Sequence, residues 1–275
     1  EKKRRPHYKT DTLNGHPVLR FNTAGESKKD VLTNSESTVT DILKGDHTVF
    51  VVSATREEPT GSNNFWYQFR FPNANSSENM GYPGTSEGKV KVDKNGTGPD
   101  INLPSPITDY QIFSSVSDNA ADTKEDLAVD GNVLETKSSS ATSGANRLEL
   151  GIKGTAAKVN FAEFIVFRTA LNTAQRRLVT NYLSEKYGLS LPSDDYYRFG
   201  SSHPSEIVGI GKAAPTTGAA PDGEHTASTS SPLTIKEAAD RSLQDGEFVM
   251  IGHDGSAAHF TTRERPNGKT TVQKT

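Results

Sequence analysis

The sequence predicts an all-β protein with one amphipathic helix, followed by a smaller β-rich segment. Three observations predict it. Apolar residues recur in short alternating or β-branched runs between His16 and Phe167, punctuated by Gly, Asn, Ser and Pro. One stretch alone, "LNTAQRRLVTNYLSEKYG" from Leu171 to Gly188, has helical spacing. Hydrophobic residues make up only 32% of the chain, which suits thin β layers with long polar loops rather than the thick core of a large enzyme.

The elements follow in order. "HPVLRF" (16–21) sets Val18 and Phe21 against Arg20, after the turn signal "LNG". "HTVFVVSA" (47–54) is a nearly continuous β-branched run, the pattern of a strand buried on both faces. "FWYQFRF" (65–71) alternates, with Phe65, Tyr67, Phe69 and Phe71 on one face and Trp66, Gln68 and Arg70 on the other. Residues 72–110 read as loop with one short strand, "KVKVD" (89–93). "YQIFSSVS" (110–117) is a strand, and "DLAVDGNVLET" (126–136) a hairpin whose "DGN" supplies the positive-φ turn. "RLELGI" (147–152) and "VNFAEFIVF" (159–167) close the series.

Asn172 is placed to cap the helix, with Gln175 three residues on as its capping-box partner. Leu171, Leu178, Val179, Tyr182 and Leu183 form its apolar stripe, and Gly188 its C-terminal stop. Arg176, Arg177, Glu185 and Lys186 occupy the polar face. At 1.5 Å per residue the helix is about 22 Å long. Its expected task is packing, since no Ser, His or Asp constellation sits on it. Beyond Pro192 long Ala, Pro, Gly, Ser and Thr loops separate short strands at "EIVGIG" (206–211), "PLTIK" (232–236) and "EFVMIGHD" (247–254), so a boundary falls near 190–197.

Composition excludes several functions. A net charge of -3 with a pI of about 6.2 provides no global basic field for nucleic acid. The basic start "EKKRR" reads as a solvated terminus. The absence of cysteine excludes disulfides, thiolate metal sites and cysteine nucleophiles. No apolar run approaches the roughly 20 residues of a membrane span. No signal peptide is visible, and the chain starts inside a patterned region. A chain rich in Ser, Thr, Asn and Gly and lacking Cys fits a secreted or cell-surface bacterial protein.

The order "LNGHPVLRF", "HTVFVVSAT", "DLAVDGNVLE", "RLELGI" and "FAEFIVFRTALNTAQRRLVTNYLSEKYGL" resembles the laminin-G-like, concanavalin-A-like lectin modules of bacterial surface proteins. The "VDG" hairpin and the strand–helix ending carry the resemblance most specifically. It implies a two-sheet antiparallel jelly-roll sandwich over residues 1–191, capped by the helix. Residues 192–275, with "VGIGK" and "FVMIGHDGSA", resemble a small β module that often follows such domains, here incomplete. Such modules usually have an earlier strand, with a Trp-Asp-type segment, ahead of "RPHYKTDTLNG", and the tail "TTRERPNGKTTVQKT" stops where another strand is expected. Either the chain is a trimmed piece, or a neighbouring chain completes the open sheet edge by strand addition.

The chemical candidates are few. The acidic loop "SDNAADTKED" (117–126) brings together Asp118, Asn119, Asp122, Glu125 and Asp126. Hard oxygen donors at this spacing suit calcium, although the pattern is not an EF-hand, and a solvated loop is the alternative. Related lectin-like folds often hold calcium near such loops. Trp66, Tyr67, Tyr82 and Tyr110 are the aromatics that could stack sugar rings, against the alternative of core packing. "NMGYPG" (79–84) lies where loops carry binding residues. Glycoside hydrolysis needs a facing carboxylate pair, and the Glu-x-Asp-x-Glu run of glucanases of this general fold is missing, since Glu57 and Glu58 are adjacent and point apart. His203, His225, His253 and His259 show no metal-ligand spacing and read as surface loop positions. "GIG" (209–211) precedes no helix, and the sequons at Asn75 and Asn95 say little in a bacterial setting. The expected function is therefore a non-catalytic, extracellular adhesion or carbohydrate-binding module whose partner is a glycan or cell-surface polymer. The alternatives are a structural subunit of a surface filament or layer assembled by strand exchange, and an accessory domain of a polysaccharide-degrading enzyme.

Overall fold

Tight turns with left-handed residues build the hairpins. Asn14 and Gly15, at φ 47° and 76°, fold β1 (His7–Leu13) onto β2 (His16–Phe21). Asp130 and Gly131, at φ 48° and 86°, do the same for β10 (Lys124–Val129) and β11 (Asn132–Ser138). The structure, a computed structural model, describes residues 5–22, 30–34, 45–56, 64–70, 77–82, 89–103, 107–118, 124–139, 147–151, 158–214, 223–226, 243–256, 260–264 and 270–274. The remaining sandwich strands are β3 (Leu32–Asn34), β4 (His47–Thr55), β5 (Asn64–Arg70), β6 (Ser77–Tyr82), β7 (Lys89–Lys94), β8 (Asp100–Asn102), β9 (Gln111–Asp118), β12 (Arg147–Leu150) and β13 (Val159–Phe167).

These strands pair antiparallel in two sheets. A seven-stranded sheet runs β1-β2-β13-β4-β9-β10-β11, and a six-stranded sheet runs β3-β12-β5-β6-β7-β8. The chain passes between the sheets repeatedly, which is the jelly-roll sandwich. Their inner faces bury Phe21, Val49, Val51, Trp66, Tyr67, Phe69, Phe113 and Leu127 in one core. The outer face of the seven-stranded sheet buries Phe50, Val52 and Ile112 under helix α1 (Thr173–Tyr187), which contributes Leu183 and Tyr187. Strand β4 lies between the two cores, so all nine of its residues are buried. That burial is what its unbroken β-branched run requires.

The helix ends as its residues dictate. Asn172 Oδ1 accepts from Gln175 N–H at 2.9 Å, and Gln175 Oε1 accepts from Asn172 N–H at 3.1 Å. Gly188 closes the C-terminus at φ 64°. Opposite the sandwich, α1 meets a three-stranded sheet, β15-β14-β16, formed by β14 (Ser205–Ala213), β15 (Gly223–Thr226) and β16 (Phe248–His253). Gly209 permits this approach, since a Cβ there would stand 2.7 Å from Leu178 Cδ2. Strands β17 (Phe260–Glu264) and β18 (Thr270–Lys274) form a separate hairpin.

Three expectations need correction. The stretch 72–110 holds two further strands, β6 and β8, whose Asn, Gly and Asp residues concealed them. Trp66 does not take the face opposite Tyr67. A β-bulge between Phe65 and Tyr67 in the β5–β6 ladder turns both side chains into the same core. Arg176 leaves the polar face of the helix and is buried against the sheet beneath.

Candidate functional site

A cleft of about 590 Å³ opens where the β1–β2 hairpin, the C-terminal half of α1 and the β14/β16 sheet meet. Tyr182 and Lys186 line it from the helix, Asn14 and His16 from the hairpin, and Ser205 and His253 from the sheet. Asn14 Nδ2 donates to the Lys186 carbonyl at 3.1 Å, which pins the hairpin to the end of the helix. His16 stands edge-on to Tyr187, ring centroids 5.4 Å apart. A bulge near Ala162 turns Glu163 outward, where its Oε2 accepts from Lys186 Nζ at 2.5 Å and from the Tyr187 hydroxyl at 2.7 Å. Lys186 Nζ also lies 5.6 Å from the Tyr182 ring centroid and 5.2 Å from that of Tyr187. Burial alone would lower the Lys186 pKa, but the hydrogen bond and charge of Glu163 outweigh it and hold the ammonium above its usual range. Gly255 N–H donates to His253 Nδ1 at 3.0 Å, so the neutral ring carries its proton on Nε2. The cleft combines one tyrosine side chain, which also packs on the core beneath and carries Lys186 Nζ over its ring, with hydrogen-bonding groups, a mixed lining of the kind that holds a small polar ligand.

A second cleft of about 450 Å³ lies on the outer face of the β10–β11 hairpin, against the first turns of α1. Its charges are already paired. Arg176 Nη1 meets Asp126 Oδ2 at 3.3 Å, and Arg177 Nε meets Asp194 Oδ2 at 3.0 Å. Burial and a hydrogen bond to Asp194 push the Tyr196 hydroxyl up to about 12.

The residues singled out from sequence fall elsewhere. Trp66 is 1% exposed and packs on Phe113, ring centroids 4.3 Å apart. Tyr67 is 0% exposed, and burial holds its hydroxyl well above the usual range. Neither ring offers a face to a sugar. Tyr110 is half-buried beside the core under the helix, and the Tyr82 side chain lies outside the described residues. Of the calcium candidates, Asp126 does not fit, because its carboxylate is buried against the Arg176 guanidinium and accepts from Thr136 Oγ1 at 2.6 Å. Asp118 ends β9 and is half-buried, while Asn119 and Asp122 lie outside the described residues. Among the described residues no group of three or more His, Cys, Asp or Glu is placed to hold a metal. His253, read as a loop residue, sits in β16 and lines the first cleft. His225 lies in β15 with its side chain undescribed, and His259, Glu57, Glu58, Asn75 and "PLTIK" lie outside the described residues.

Sequence reasoning missed a buried ionic cluster. Ladder register aligns His47, Ser117 and Glu125 across one sheet, and Glu78 and Lys94 across the other. All five are 0% exposed. His47 Nε2 lies 3.0 Å from Glu78 Oε1, and Lys94 Nζ donates to Ser117 Oγ at 2.6 Å, so both contacts bridge the layers. Burial alone would raise Glu78, but His47 and Lys94 hold it below the carboxylate range. Burial, with the Glu78 charge, pushes Glu125 well above that range. Neither Glu125 oxygen has a hydrogen-bond partner among the described residues. The available signal was faint: His47 opens an apolar strand, and Glu78 and Lys94 alternate with apolar Met80 and Val92. The cluster is closed on all sides and presents no surface to a substrate.

No family model and no curated protein matches the sequence. Solved structures match by fold. The chain superposes on the binding domain of botulinum neurotoxin DC in complex with SialylT with a TM-score of 0.50 and 9% identity, covering 98% of this chain and 67% of that one. The same domain in complex with rat synaptotagmin II gives a TM-score of 0.50 and 10% identity, over 98% and 67%. A botulinum neurotoxin type C structure, from a toxin whose cell entry depends on interaction with two ganglioside molecules, gives 0.49 and 10%, over 75% and 51%. The chain spans about half the length of several of the solved structures it matches, 46% to 51%. At this identity the likeness establishes a shared all-β architecture.

Proposed function

We propose that the chain is a non-catalytic carbohydrate-binding module of the concanavalin-A-like, laminin-G-like type, acting in adhesion outside the cell or at its surface. The observation that carries this reading is the Tyr182 cleft, in which a tyrosine side chain and the polar groups of Asn14, His16, Lys186, Ser205 and His253 share one lining. The architecture supports it, since a domain of the same fold was solved in complex with SialylT. Calcium, if it contributes, would have to be held by the loop carrying Asp118, Asn119 and Asp122 without Asp126.

A glycan array probed with the whole chain, with and without calcium, tests this. Binding is expected, and Tyr182→Ala should weaken it about tenfold or more, because burying an apolar side chain of this size contributes on the order of 1.5–3 kcal/mol. A blank array in both conditions overturns the reading. The alternative, a filament subunit assembled by strand exchange, draws on β16, which among the described residues pairs with β14 alone and exposes Val249 (46%) and Ile251 (45%). Concentration-dependent polymerisation with no glycan binding would favour it.

A further inference from the structure

The second cleft, between the β10–β11 hairpin and the first turns of α1, has a chemistry of its own. Leu134 enters its lining through a break in strand register. Leu127 pairs with Glu135 and Ala128 with Val133, so Leu134 has no partner across the β10–β11 ladder. The bulge re-aims its side chain, which is 49% exposed and lines the cleft. Beside this apolar surface stands a fixed ion pair. Arg177 Nε donates to Asp194 Oδ2 at 3.0 Å, and Asp194 Oδ1 accepts from the Tyr196 hydroxyl at 2.8 Å. Arg177 Cζ also lies 5.6 Å from the Tyr196 ring centroid. Both side chains stay reachable, at 22% and 28% exposure. The Arg177 Nη groups have no hydrogen-bond partner among the described residues. Asn132 Oδ1 accepts from Ser193 Oγ at 2.6 Å, which orients its amide N–H groups as further donors.

Charge in this lining is balanced. Two guanidinium groups, Arg176 and Arg177, meet two carboxylates, Glu135 and Asp194. An anion would stand against the carboxylates and a cation against the guanidinium groups. An uncharged hydroxyl suits both, because it accepts from a guanidinium N–H and donates to a carboxylate oxygen. We propose that this cleft is a second saccharide site, taking an uncharged sugar whose C–H face lies on Leu134 and whose hydroxyls bridge Arg177 and Asp194. The proposal rests on the carbohydrate reading and adds to it a valency. Arg177 and Lys186 are separated by about two and a half turns of α1, so the two clefts open on opposite sides of the helix, roughly 14 Å apart along its axis. One chain then holds two separate glycans and cross-links them.

The test titrates the whole isotope-labelled chain with an uncharged glycan that binds it on an array, following backbone amides by NMR. Two sets of amides should shift, one around Tyr182 and one at Asn132–Glu135. Leu134→Ser, at an exposed position, should weaken the second set about fivefold and leave the first unchanged. Arg177→Lys should weaken the second set about tenfold, the loss of one charge-assisted hydrogen bond. Shifts confined to the surroundings of Tyr182 overturn the second site and leave the carbohydrate reading standing. Shifts at Asn132–Glu135 produced by charged glycans alone overturn the uncharged-ligand assignment. An array with no hits overturns both this proposal and the reading beneath it. The wild-type titration needs no variant, so a misfolded Arg177→Lys chain does not blunt it.

Discussion

Arg176 and Asp126 form a pair with side-chain exposures of 8% and 1%, in the seam between helix and hairpin. Burial lowers the guanidinium's affinity for its proton and the Asp126 charge restores part of it. Removing one member strands the other in a dry site. Arg176→Ala should therefore cost about 3–5 kcal/mol, read as a fall in the urea midpoint, while Arg176→Met with Asp126→Leu should recover most of the loss. Equal cost for single and double variants would refute that account. The Glu125 carboxyl makes a pH-dependent case. Its folded pKa is raised, so the folded chain keeps a proton that the unfolded chain releases. Stability contributed by Glu125 is then full below the ordinary Glu range and declines as pH rises through that range towards the raised value, by up to about 1.4 kcal/mol per pH unit. Glu78 is depressed and acts oppositely, its contribution being lost as pH falls through the carboxylate range. Glu125→Gln should remove the decline on the alkaline side. Urea titrations at several pH values, followed by fluorescence of the buried Trp66, measure it, and an unchanged slope would discount the burial argument. Neither case was legible in sequence, because a buried charge looks like any other polar residue until its neighbours are known.

Helix α1 is the element whose sequence was most nearly sufficient. Its capping box, stripe and terminal glycine each act through residues about one turn away, so local residues specify them. Asn172→Ala should cost about 1 kcal/mol by thermal or chemical unfolding, and Asn172→Asp should restore most of it. The hairpins at Asn14–Gly15 and Asp130–Gly131 were readable for the same reason. Strand β5 was not. Strict alternation put Trp66 on the face opposite Tyr67, but the extra residue opposite Gly81 in the β6 ladder shifted the phase. A bulge answers to the partner strand, which lies outside any local window. The same limit hid β6, where Glu78 and Asn79 occupy buried positions.

At the level of the molecule, α1 serves two layers at once. Leu183 is buried in the core over the seven-stranded sheet, while Leu178 faces Gly209 of β14. Truncating each should separate the layers experimentally. Leu183→Ala should lower the stability of the sandwich by about 2–5 kcal/mol. Leu178→Ala should chiefly speed amide hydrogen exchange in Ile207–Ala213, leaving β4 and β9 protected. Uniform loss in both variants would mean that the layers unfold together. The sequence by itself determined the all-β class, the hairpin turns, the doubly buried β4 and the capped helix, because each depends on contacts a few residues apart or on a strand's own periodicity. Only the tertiary structure decided what those elements place together: aromatics moved inward by a bulge, an ionic cluster between sheets, and a cleft assembled from Asn14, Tyr182 and His253. Those residues are brought together by packing across more than 200 positions of chain, a separation that no local pattern encodes.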